Sequence, residues 1–83
     1  MSERSYPSPP IQVGDMLYLR EQEYQYGAGE LRLRITAPPV ESAAPGWWTV
    51  VGVQVLWNDL DGAKRRVQVP AAVLRDPRVR RPR

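Results

Sequence analysis

Eighty-three residues with no cysteine and no histidine make one small domain that neither a disulfide nor a standard zinc site can staple. The same absences exclude the usual nucleophile–base pairs, so the chain is read as a non-enzyme that needs no cofactor and no metal. The net charge of +3 is unevenly placed: residues 1–74 hold seven Lys/Arg against eight Asp/Glu, while residues 75–83 hold five arginines against Asp76.

Residues 1–10 carry Pro7, Pro9 and Pro10 among serines and predict a flexible, extended N-terminus without the apolar centre of a secretory signal. No apolar run nears the roughly 20 residues that span a bilayer. The expected setting is therefore the cytoplasm, with no membrane partner. Gly14-Asp15 introduces residues 16–23, where Leu17 and Leu19 alternate with Tyr18 and Arg20, the period of a half-buried strand. Gly27-Ala28-Gly29 predicts a turn. Leu31-Arg32-Leu33-Arg34-Ile35 is the clearest alternation, with aliphatics on one face and arginines on the other. Pro38-Pro39 is expected to end that strand, because proline donates nothing to a ladder.

After a loop of small residues, Trp47, Thr49, Val51, Val53 and Val55 share one phase of a long strand, and Gly52 in the other phase suggests a bulge or bend. Asn58-Asp59-Leu60-Asp61-Gly62 predicts a hairpin turn into a strand over residues 64–69, with Val67 and Val69 inward and Arg66 and Gln68 outward. Pro70 stops that strand, and residues 71–74 are long enough for one 3-10 or α turn. The domain is drawn over residues 11–76, and residues 77–83 form a basic tail or a short last strand. The predicted core is Leu17, Leu19, Leu31, Leu33, Ile35, Val51, Val53, Val55, Val67 and Val69.

This order of about five strands with one short helical turn, read as all-β, resembles an SH3-like barrel over residues 14–74. The likeness rests on Gly46-Trp47-Trp48, similar to the paired tryptophan that opens the family's third strand. It rests also on Gly62 in the distal hairpin, on Glu30-Leu31-Arg32-Leu33, and on Pro70-Ala71-Ala72-Val73-Leu74, which looks like the family's Pro-x-x-Tyr-Val turn. The resemblance implies a small antiparallel barrel that binds protein or peptide. Val73 stands where the family's tyrosine would be, and the acidic first loop is reduced to Glu21 and Glu23, so the polyproline groove is only partly matched.

Two residue sets carry the binding readings. All seven aromatics are Trp or Tyr, amphipathic rings suited to half-wet surfaces. Trp47 is in phase with the valines and is expected in the core. Trp48, in the opposite phase, is expected outside, joining Tyr18, Tyr24 and Tyr26 in an exposed platform for a protein or peptide. The alternative partner is nucleic acid or ribonucleoprotein, met by Arg32, Arg34, Lys64 and Arg66 on the sheet and by Arg75, Arg78, Arg80, Arg81 and Arg83 in the tail. A structural subunit of a larger assembly is the third reading. Asp59 and Asp61 are absorbed by turn chemistry.

Overall fold

The computed structural model of the chain describes residues 9–25 and 29–81. The two clearest alternations become β1 (Met16–Leu19) and β2 (Leu31–Glu41). They pair antiparallel with Leu17 opposite Leu33 and Leu19 opposite Leu31, so four fully buried leucines meet on one face and Tyr18 lies opposite Arg32 on the other. β3 (Trp47–Val55) and β4 (Asp61–Pro70) form a hairpin, α1 (Ala71–Leu74) is a single α turn, and β5 (Arg80–Arg81) returns beside β1. The sheet is wholly antiparallel with order β4-β3-β2-β1-β5. The fold is all-β apart from α1 and a 3-10 turn at Glu21–Glu23. Leu17 and Leu19 of β1 belong to one core cluster with Val67 and Val69 of β4, linked through Leu31, Leu33, Ile35, Trp48 and Val50 of the strands between.

Eight of the expected core residues are buried, but Val51 and Val53 are only half-buried. In β3 it is Trp48, Val50 and Gly52 that turn inward. The residue that fixes this phase is Gly52, opposite Ile35: β2 approaches so closely that a side chain there would collide with Arg34 and Leu33. A register shift follows at once, between Ile35 and Ala37. The irregularity expected at Gly52 lies on the facing strand instead: Thr36 of β2 is the extra residue, between the Ile35–Gly52 and Ala37–Val51 pairs.

Pro38 and Pro39 do not end β2, which runs on to Glu41. They sit in a second register shift, between Ala37 and Val40, where no ladder bond is asked of them. The predicted turn before β4 forms: the Asp59 N–H donates to the Leu56 carbonyl at 2.8 Å and the Leu60 N–H to Asn58 Oδ1 at 3.2 Å. Asp59 takes a left-handed φ of 67°, which Asp tolerates.

The ordered sheet extends past residue 76. Val79 is buried, and Arg80 lies opposite Leu17 in the sheet. The Arg80 guanidinium donates to Asp15 Oδ2 at 2.7 Å, and the same oxygen receives the Gln12 N–H at 2.8 Å. A buried carboxylate thereby fastens the last strand to the start of the first. The readings that concern residues 1–8, most of the Gly27-Ala28-Gly29 turn, Tyr26 and Arg83 fall outside the described residues.

Candidate functional site

At one end of the sheet three segments converge because of the β1 pairing. Leu19 of β1 lies opposite Leu31 of β2, and the Tyr18 N–H donates to the Val79 carbonyl at 2.9 Å. The end of β3 lies beside them, leaving a groove of about 630 Å³. Its lining includes Tyr18, Arg20, Glu23, Leu56, Trp57, Asp76 and Arg78. Trp57 is 90% exposed, and its neighbour in the turn, Leu60, is 62% exposed. Arg32 also lines the groove, donating to Asp59 Oδ1 at 2.9 Å and to the Leu56 carbonyl. The hairpin that bears Trp57 is thereby tied to β2.

The charged part of the lining holds two close ion pairs. Arg20 donates to Glu23 Oε2 at 2.9 Å, and the Arg20 N–H to Glu23 Oε1 at 2.8 Å. The Arg20 guanidinium, and then that backbone N–H, hold the Glu23 carboxyl below its ordinary value against the opposing effect of burial. Asp76 is likewise lowered, first by the Arg78 side chain and then by the Arg78 N–H. A carboxyl lowered in the folded state gives stability that is present above the unfolded value and lost as pH falls through the folded one. Glu23→Gln is therefore expected to lower the melting temperature at neutral pH and to reduce its fall on acidification. A melt series from neutral to acid pH reads this, and an unchanged acid slope would remove Glu23 from the linkage.

The structure brings only part of the expected aromatic set to the surface. Tyr18 is exposed, with the Arg81 guanidinium 5.0 Å from its ring centroid. Trp48 is not exposed: it is 6% accessible and belongs to the core cluster, whereas Trp47 is half-buried. The phase of β3 fixed at Gly52 reverses the pair. Tyr24 is 7% accessible, and its hydroxyl donates to the Gly29 carbonyl at 2.9 Å. Of the three members of the expected platform among the described residues, Tyr18 is exposed and Trp48 and Tyr24 are buried; Tyr26 lies outside them.

Trp57 was hidden from sequence reasoning by its place at the edge of a turn-rich stretch. The available signal was a tryptophan followed by Asn58-Asp59, with no strand left in which to bury it.

The expected cationic surface is also reduced. Arg34 donates to Asp61 Oδ1 at 2.7 Å, and Arg32, Arg78 and Arg80 are paired with Asp59, Asp76 and Asp15. Asp59 and Asp61 thus have a second task besides the turn. Arg75 closes α1 through its N–H to the Ala71 carbonyl at 3.2 Å, and Lys64 and Arg66 are exposed on β4. Comparison of the chain with protein-family models, with curated proteins and with solved structures finds no match. Among the described residues no helix is long and apolar enough to cross a membrane.

Proposed function

We propose that this chain is a non-catalytic binding module that takes an extended segment of a partner protein in the groove between Tyr18 and Trp57. The observation that carries the reading is a groove whose lining combines an almost fully exposed tryptophan with Tyr18 and charges of both signs. Exposed Trp and Tyr beside a cleft are the residue types that dominate interface energetics, and the mixed charges give a passing peptide backbone and side chains both donors and acceptors. The SH3-like reading of the fold belongs to the same proposal. It is supported by the pairing of β2, β3 and β4 in sequence order and by the helical turn after Pro70. A cytoplasmic setting goes with it. The nucleic-acid reading has less support, because four of its nine cations already hold carboxylates.

Selection of peptides from a random display library against the folded chain tests the proposal. A selected peptide is expected to lose about 2 kcal/mol of binding, roughly 30-fold, on Trp57→Ala. The same variant should melt within about 0.5 kcal/mol of the parent, since the ring is exposed. Undiminished binding by Trp57→Ala would remove the groove from consideration.

A further inference from the structure

β4 ends the sheet, and the direction of its backbone groups can be read from one bond. The Gln25 N–H donates to the Gln68 carbonyl at 3.0 Å, from the side away from β3. The amide and carbonyl of one strand residue point the same way, and the direction alternates along the strand. Arg66 and Lys64 therefore also turn their backbone groups away from β3, while Arg65 and Val67 give theirs to it. The partner strand agrees: Val51, opposite Arg66, sends its carbonyl toward β2, where it receives the Thr36 hydroxyl at 3.4 Å. Among the described residues no backbone group meets Lys64 or Arg66 on the outer side.

The side chains at this edge are of one sign. Lys64 and Arg66 are exposed and enter none of the ion pairs among the described residues. Asp61, the one carboxylate on β4, is held by Arg34. A second copy of the chain fits the edge badly, because antiparallel pairing about Arg65 sets Lys64 of one copy against Arg66 of the other, and like charges directly opposite repel. An acidic guest turns both contacts into attractions. Nucleic acid fits less well, since β4 exposes two cations, Lys64 and Arg66, and has no aromatic ring on which a base could stack.

We propose that the β4 edge accepts an extended acidic segment of a partner protein as a sixth, antiparallel strand. Its backbone bonds to Lys64 and Arg66, and its carboxylates, two residues apart, lie over their side chains. This surface is separate from the Trp57 groove.

The test uses the isotope-labelled full chain and a capped peptide of alternating glutamate and threonine, followed by NMR and amide hydrogen exchange. The Lys64 and Arg66 amides are expected to become protected when the peptide is bound. The Lys64→Glu/Arg66→Glu double variant should bind about tenfold more weakly or worse. Arg66→Pro, which removes an outward N–H that an edge strand can spare, should fold and still lose the peptide. Trp57→Ala should bind it unchanged. Protection absent at Lys64 and Arg66, equal binding of a lysine–threonine peptide, or capture of oligothymidylate at this edge in preference to the acidic peptide would each overturn the proposal.

Discussion

Truncating Trp48 to alanine is expected to bring the domain to the edge of unfolding. The indole is nearly inaccessible, lies opposite Val69 in the β3–β4 ladder and shares the core with Val50, Val67 and Leu74. Removing a large buried aromatic costs about 3–5 kcal/mol through lost transfer energy and the cavity left behind. A domain of this size has a single core that supplies only about that much net stability, and no disulfide is available to hold the remainder. Trp47→Ala, at a half-buried position of the same strand, should cost distinctly less. Urea unfolding of the two variants side by side decides the matter. If Trp47→Ala collapsed while Trp48→Ala melted near the parent, the inward face of β3 would be the other one.

That contrast also shows what was legible before the structure. In β2 the phase is unambiguous, because Arg32 and Arg34 interrupt Leu31, Leu33 and Ile35 and cannot be buried unpaired. All three aliphatics are buried as expected. In β3 both phases are apolar: Trp47, Val51 and Val53 compete with Trp48 and Val50, and no charge breaks the tie. Since a shift of one residue exchanges the two faces of a strand, counting apolar residues in each phase chose the longer series, which is the outer one up to Val53. Val55 of that series is buried, beyond the register shift that follows Val53. The deciding fact, the close approach of β2 at Gly52, is tertiary.

The candidate site divides in the same way. Tyr18 was readable because its strand has one clear alternation. The pairs Arg32–Asp59 and Arg34–Asp61 each join residues 27 apart in sequence and exist only once β2 lies beside the β3–β4 hairpin. They decide how much of the apparent cationic surface remains. Four arginines that look available in the chain are engaged in the fold. The exposed Lys64 and Arg66 gain significance because their neighbours are occupied. Trp57 stood out in neither pattern, since it belongs to no strand and its neighbours explain themselves as a turn.

Gly52→Ala should be the most damaging of the single-methyl additions. A β-carbon at this position would overlap the Arg34 carbonyl oxygen and stand 2.9 Å from Leu33 Cγ. The first obstacle is backbone, which has no rotamer to change, so relief requires β2 to move away from β3. That movement would disturb the Ile35–Gly52 register and the Arg34 side chain's hold on Asp61. Overpacking of this kind costs about 1–3 kcal/mol or more, against a gain of at most about 1 kcal/mol from stiffening the unfolded chain.

Gly46→Ala is the matched control. Its φ of 82° disfavours any β-carbon, yet nothing lies within 4 Å of where one would sit. Its cost should be the left-handed strain alone, roughly 1–2 kcal/mol. The expected order of denaturation midpoints is parent, then Gly46→Ala, then Gly52→Ala, with Gly52→Val lowest because its extra methyls meet the same wall. A Gly52→Ala protein as stable as the parent would mean that β2 and β3 are not in close contact at this point. The phase of β3, and with it the burial of Trp48, would then lose its physical basis.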